Sequence, residues 1–351
     1  MNIRSSAQAQ RLLHDDNSRI AVTASSSAFS VQDRNKTMRL LITGGAGFIG
    51  SHIADQAIAS GWTVAVVDDL SGGRRENVPA QARFFQCDIR NLAGLQQVFA
   101  DFRPELVSHQ AAQASVSVSV REPVRDAEIN IIGSINVMQC CVTAAVQQLV
   151  FASTGGAIYG EVPPGTRASL ATTPVPQSPY ACSKFAVEKY LESFRREHGL
   201  KSTVLRYANV YGPRQDPHGE AGVVAIFCNR MLAGEPVSVF ALRTAGDPGC
   251  IRDYVYIADV VKANLAAMQG QIPDPILNVG TGIETNTLQL AEQLKQILQS
   301  SSEIRFGDIR PGDVERSLLD AERFQQLLGT TTSVPAGLQQ TARWFREHRR
   351  A

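Results

Sequence analysis

The chain has 351 residues, of which 44% are hydrophobic and 19% charged, and its formal net charge is +1. That length holds one large domain or two closely packed ones, and the near-neutral balance excludes a global basic field that would draw the protein onto nucleic acid or an anionic membrane. No apolar run reaches the roughly 18 residues that a membrane span needs.

Residues 1–37 are rich in Ser, Gln and Arg and show no amphipathic periodicity. Arg and Ser suit a transit peptide, but Asp15, Asp16 and Asp33 argue against one, and a secretory apolar core is missing. The segment reads as a disordered tail, or as a misassigned start with Met38 as the true first residue, and is set aside.

From Arg39 the pattern becomes regular. Arg39–Thr43 is a short apolar run closed by glycines, which predicts a buried strand. Phe48–Ser60 has helical spacing and stops at Gly61. Strands are predicted at 63–67, 83–86, 106–108, 149–152 and 202–206, and helices at 92–102, 124–147 and 179–198. This alternation predicts an α/β fold with a doubly wound parallel sheet over residues 38–209. After Asn209 glycine and proline loosen the rhythm, with helices again near 259–268, 288–299 and 336–348. Residues 210–351 are expected to form a smaller substrate-binding lobe over the carboxyl edge of the sheet, with segments returning to the first domain. The six cysteines, at 87, 140, 141, 182, 228 and 250, have no zinc-ligand spacing, so no metal is expected; they read as reduced thiols of a cytoplasmic protein.

The segment Thr43-Gly-Gly-Ala-Gly-Phe-Ile-Gly50 follows a strand and opens a helix. Gly44 or Gly45, Gly47 and Gly50 let the backbone approach a pyrophosphate, and the helix start offers free N–H groups and a positive dipole end. The second strand ends at Asp68, whose carboxylate can accept from both ribose hydroxyls and repels a 2′-phosphate, which favours NAD over NADP. Asp88, in Cys87-Asp-Ile89, is placed to approach the adenine. His109-Gln-Ala-Ala112 puts small residues where a cofactor must pass closely. Both segments could equally be plain loop features.

Tyr180-Ala-Cys-Ser-Lys184 opens the helix after Pro179, and the i, i+4 spacing puts Tyr and Lys on one face. An unperturbed tyrosine, with a pKa of about 10, is too weakly ionised to act as a base at neutral pH. A nearby ammonium and a positively charged nicotinamide stabilise its phenolate.

These motifs, with Ser-Thr-Gly-Gly-Ala-Ile-Tyr-Gly (153–160), Arg206-Tyr-Ala-Asn-Val-Tyr-Gly-Pro, Arg252-Asp-Tyr-Val-Tyr-Ile, Asn278-Val-Gly-Thr-Gly and Arg310-Pro-Gly-Asp313, resemble the extended short-chain dehydrogenase/reductase family and its nucleotide-sugar epimerase branch. The resemblance runs from about Met38 to the C-terminus. It implies an NAD-dependent isomerase that inverts carbon 4 of a UDP-hexose, plain or N-acetylated, through a 4-keto sugar. It further implies a retained cofactor and a homodimer built on helices 124–147 and 179–198, whose apolar content could equally face the sheet.

The implied cofactor set is Gly44, Gly47, Phe48, Ile49, Gly50, Asp68, Asp88, Ile89, Ala111, Ala112, Asn130, Ser153, Tyr180, Lys184 and Tyr207. The implied substrate set is Asn209, Val223, Val224, Arg252, Arg310 and Asp313, where the two valines could equally be core and each arginine could be an exposed ion pair. The implied catalytic set is Tyr180, Lys184 and a hydroxyl. The family usually places a Ser or Thr four residues before the tyrosine matching Tyr159, where this chain has Gly155. Thr154 is taken as the replacement, with water as the alternative. Ser317 falls at a gate beside the sugar, and its small size implies room for an N-acetyl group. A UDP-glucuronate epimerase or decarboxylase is the alternative reading. A dehydratase is disfavoured because Gly155 and Gly156 cannot move a proton, and a non-catalytic NAD-sensing scaffold because Tyr180 and Lys184 are both present.

Overall fold

A computed structural model describes residues 37–217, 222–244, 246–309 and 314–348. The chain begins β1 (Arg39–Thr43), α1 (Phe48–Ala59), β2 (Thr63–Asp68), β3 (Arg83–Gln86), α2 (Leu92–Phe102), β4 (Leu106–His109), α3 (Val116–Arg121), α4 (Pro123–Ala127) and α5 (Ser134–Thr143). It continues β5 (Gln148–Thr154), α6 (Gly155–Ile158), α7 (Pro179–His198), β6 (Ser202–Tyr207), β7 (Asn209–Tyr211), α8 (Val223–Leu232), β8 (Val237–Phe240) and β9 (Ile251–Tyr256). It closes α9 (Ile257–Met268), β10 (Ile276–Val279), β11 (Glu284–Asn286), α10 (Thr287–Leu298), β12 (Ile304–Gly307), β13 (Arg316–Ser317), α11 (Glu322–Leu328) and α12 (Val334–Glu347).

Seven strands form one parallel sheet in the order β3-β2-β1-β4-β5-β6-β10. Side-chain alternation divides its core between two faces. Leu40 and Ile42 of β1 join a cluster with Ile53 of α1 and Ala263 of α9, while Leu41 joins Leu95 of α2, Met138 of α5 and Val187 of α7. The order of the sheet reverses between β1 and β4, and a crevice at the carboxyl ends of the strands opens there. Residues beyond 209 return to this sheet: β10 pairs with β6, and α9 packs on α1. The remaining C-terminal strands form two small sheets, β11-β9-β13 with β7 added to β9, and β12-β8.

The helix expected over 124–147 is differently built. Helix α4 leads into a π-helical turn at Glu128–Gly133 and then α5, which ends at Thr143. Ala145 takes a left-handed φ of 52°, and the N–H of Val146 reaches back to Cys141 O, closing the helix before β5 starts at Gln148. Apolar periodicity continues across this cap because α5 and β5 bury side chains in the same cluster. The π turn holds Asn130, whose carbonyl accepts from Ser134 Oγ at 2.6 Å.

Candidate active site

The glycine loop is held from below by backbone. Gly44 has φ 67°, a left-handed conformation that favours glycine, and a Cβ there would lie 2.7 Å from Ala111 Cα. A Cβ on Gly50 would strike the carbonyl of Gly44. The N-cap of α1 is Gly47, which has no side-chain oxygen to occupy the first-turn N–H groups. Those donors border a cleft of ≈ 540 Å³. At its far wall Asp68 accepts from the N–H groups of Ala46 and Leu70, at 2.9 and 2.8 Å, and keeps lone pairs for further donors. Desolvation raises the Asp68 pKa, and the two backbone bonds oppose that rise. The uncapped helix start and the glycine-lined approach fit a dinucleotide pyrophosphate, and Asp68 fits its ribose.

Of the fifteen residues expected to bind the cofactor, fourteen line this cleft, from the glycine loop to Ser153, Tyr180, Lys184 and Tyr207. Asn130 stands one layer behind. Its Oδ1 accepts from Gln113 N and its Nδ2 donates to Gln113 O, so it shapes the loop after β4 and does not line the cleft. Asp88 borders the cleft, but its carboxylate is engaged by the guanidinium of Arg90, which lowers its pKa. His109 turns inward, with Nδ1 2.6 Å from Thr43 Oγ1 and Nε2 2.9 Å from Ser134 Oγ. Burial, aided by the charge of Lys184, lowers its pKa to about 3 and keeps the ring neutral. Sequence reasoning missed the wall at Ser71–Gly73 and Gln113–Ser115. The glycine pair after Asp68 was the available signal: a Cβ on Gly73 would come within 2.8 Å of Asp68 Oδ1.

Tyr180 and Lys184 sit in the first turns of α7, which is capped by Ser178 Oγ accepting from Ala181 N. The Thr154 side chain lies beside the Tyr180 hydroxyl. Desolvation pushes the Tyr180 pKa up to about 12, and the polar contact with Thr154 pulls the other way. Lys184 Nζ donates to Ala152 O at 2.9 Å and lies 4.8 Å from the Phe151 ring centroid. Burial lowers its pKa to about 8, opposed by the charge of Asp126. A side chain at Gly155 would run into Leu319 Cδ1 at 2.5 Å and Arg206 O at 3.1 Å. Position 155 is thus closed to a side chain, and Thr154 at the end of β5 is the hydroxyl beside Tyr180.

Beneath this end of the sheet lies a buried polar chain. Ser153 Oγ donates to Glu188 Oε1 at 2.6 Å, and Arg206 grips the same carboxylate through two bonds of 2.9 and 2.5 Å. Arg206 also donates to Tyr159 Oη, which donates to Asn278 Oδ1; Asn278 Nδ2 then reaches Ala168 O.

The substrate residues are dispersed. Asn209 on β7 and Arg252 on β9 lie in one small sheet, where Ser317 of β13 is the register partner of Arg252. Arg252 Nη1 donates to the carbonyls of Ile251 and Glu315. Val223 starts α8 half-buried, whereas Val224 is packed in the core. Arg310 and Asp313 lie outside the described residues.

Comparison with known proteins gives one consistent picture. Residues 40–280 match the NAD dependent epimerase/dehydratase family. A UDP-glucose 4-epimerase from Mycolicibacterium smegmatis is 41% identical over 316 residues, which is 88% of this chain and 99% of the relative. The crystal structure of a UDP-glucose 4-epimerase from Thermus thermophilus, complexed with NAD, is 49% identical, with a TM-score of 0.85 over 89% of this chain and 100% of that one. UDP-glucose 4-epimerase from Thermotoga maritima, solved with UDP-glucose, is 48% identical, with a TM-score of 0.84 over 88% of this chain and 99% of that one.

Proposed function

The chain belongs to the NAD dependent epimerase/dehydratase family, and from that premise we propose that it interconverts UDP-glucose and UDP-galactose by inverting carbon 4 of the sugar. The observation that carries this reading is the placement of Tyr180 and Lys184 together on the wall of a cleft built for a dinucleotide, with Lys184 held by Ala152 O and Thr154 beside Tyr180.

NAD, when bound, supplies a reversible acceptor for the hydride of carbon 4 and a positive charge that favours the Tyr180 phenolate. Gly44, Gly47, Phe48, Ile49 and Gly50 would hold its pyrophosphate, Asp68 its adenine ribose, and Lys184 the other ribose. Tyr180 takes the proton of the 4-hydroxyl, and Thr154 steadies the oxygen during transfer. Lys184, with a pKa of about 8, is mostly charged at pH 7, and an ammonium 6.0 Å from the centre of the Tyr180 ring favours the phenolate. After the 4-keto sugar turns over, Tyr180 returns the proton to the opposite configuration, so acid and base are the same group. Asn209, Arg252, Arg310 and Asp313 would anchor the diphosphate and nucleoside, with fixed donors that leave the sugar free to rotate. Val223 is the better placed of the two valines for the uracil, because Val224 is committed to the core.

Two finer assignments go with this. The exposed valines Val116, Val120 and Val124 gather on α3 and α4 beside α7, and they support a homodimer through this face. All six cysteines are free thiols, which supports a cytoplasmic setting. Among the described residues no helix is long and apolar enough to cross a membrane.

Purified protein given UDP-galactose, with no NAD added, should yield UDP-glucose. No product even with NAD supplied would remove the proposal. Turnover of UDP-N-acetylglucosamine tests the room left by Ser317, and a Ser317→Tyr variant should lose that substrate first.

A further inference from the structure

Behind the catalytic helix lies a buried carboxylate with no role in the reaction as described so far. Asp126 on α4 is 0% exposed. Its Oδ1 accepts from Asn130 Nδ2 at 2.9 Å and from Gln113 Nε2 at 3.0 Å, and its Oδ2 accepts from Ser183 Oγ at 2.6 Å. Among the described residues no lysine or arginine forms an ion pair with it, and three neutral donors hold the carboxyl group. An acid buried without a cation is costly unless its charge is used or fully solvated by donors. These donors come from three places that shape the site: the loop after β4, the π-helical turn, and Ser183, next to Lys184 and one turn after Tyr180.

We propose, resting on the epimerase reading above, that Asp126 is a positioning residue: its fixed negative charge, tied to α7 through Ser183, keeps the Lys184 ammonium charged and seated on Ala152 O, and so sets the pH window in which the Tyr180–Lys184 pair works. The direction is legible at both partners. The Asp126 charge favours protonated Lys184 and disfavours the Tyr180 phenolate. Other charges around α7 are spent elsewhere. Arg125 of α4 is exposed and pairs with Glu122, and exposed Glu128 of the π turn faces Arg90. Arg121 of α3 is exposed. Arg206 of β6 is neutralised by Glu188 of α7 itself. Cys140 and Cys141 of α5 are kept as thiols by burial, and His109 of β4 is neutral. Neither β5 nor α6 carries an acidic or basic side chain.

Asp126→Asn removes the charge and keeps the shape. Its Oδ1 can still accept from Asn130 and Gln113, and its new amide can donate to Ser183 if that hydroxyl rotates. Losing the charge lowers the midpoints of both Tyr180 and Lys184, so both limbs of the rate profile move to lower pH. With the cofactor-loaded full chain and UDP-galactose, the expected result is an acidward move of the kcat–pH profile by about half a unit or more, with KM changed less than about twofold. The Lys184 midpoint, read by 13C NMR of lysine Cε, should fall with it. Ser183→Ala keeps the charge and should lower kcat while leaving both midpoints in place. Asp126→Asn with the wild-type profile and the wild-type Lys184 midpoint would overturn the proposal, as would parallel loss in both variants without a shift. If the wild type fails to turn over UDP-galactose, the epimerase reading falls, and the Lys184 titration still decides the role of Asp126. If Asp126→Asn does not fold, carboxyl 13C NMR of the wild type decides: a carboxylate signal near neutral pH supports the proposal, and a protonated acid ends it.

Discussion

The two ends of the cleft are shaped by opposite means. At the β1–β2 end, form comes from what is missing: glycines at 44 and 50 let backbone pack on backbone, and a bare N-cap leaves donors open. At the β5–β6 end, form comes from side chains that cross-link the interior, with Glu188 and Arg206 tying Ser153 to Tyr159 and Asn278. The first end can present a shape but no proton chemistry. The second holds the titratable pair Tyr180 and Lys184 and buries the Glu188–Arg206 ion pair close by. A chain that separates these tasks can lose one and keep the other.

That separation can be broken experimentally. The largest effect is expected from Tyr180→Phe: kcat should fall by about 10³-fold or more, while NAD released on denaturation stays near the wild-type amount. Loss of NAD from this variant would show that the ends are coupled. Glu188→Ala strands Arg206 in the interior and should cost about 3–5 kcal/mol of stability, read by denaturant unfolding, with Glu188→Gln much milder. Gly50→Ala overpacks the loop against the Gly44 carbonyl; it should cost about 1–3 kcal/mol and, unlike Tyr180→Phe, strip the retained NAD.

Acid stability separates the ends less strongly. The His109 pKa, about 3 in the folded protein, lies below its unfolded value of about 6.5. As pH falls below that value the unfolded chain binds a proton that the native state does not. The contribution of neutral His109 is therefore complete above about pH 6.5 and declines toward pH 3, by up to about 1.4 kcal/mol per unit. His109→Asn should flatten that decline in urea titrations between about pH 6 and 4. The smallest change is expected from Ser178→Ala, which removes the cap of α7 and should cost about 1 kcal/mol with kcat lowered only a few-fold.

The first end was also the more legible in sequence. A strand, a glycine turn, a helix and an acid at the next strand end are local patterns, and Gly44–Gly50 and Asp68 stand where those patterns place them. Tyr180 and Lys184 were readable for the same reason, since one helix turn separates them. The buried links were not, because each joins residues far apart in the chain: Ser183 to Asp126, Arg206 to Tyr159, Tyr159 to Asn278. No periodicity announces a partner 119 positions away. The π turn escaped notice because helical spacing passes through it unchanged. The closure of position 155 was not legible either, because the Leu319 side chain that a Cβ there would meet lies more than 160 positions along the chain.

The strand β10 adds a consequence for how the protein is made. It pairs with β6 to complete the sheet, yet it emerges from the ribosome about seventy residues after it, and α9 reaches α1 across an even longer interval. Until that late segment arrives, β6 is a nascent edge with unpaired N–H and C=O groups, open to pairing with other chains. Vectorial synthesis therefore leaves the cofactor half waiting for its last strand. A nonsense mutation shortly before Ile276 should yield aggregating protein instead of a small NAD-binding fragment, and β10 added back as a separate peptide would have to compete with that aggregation.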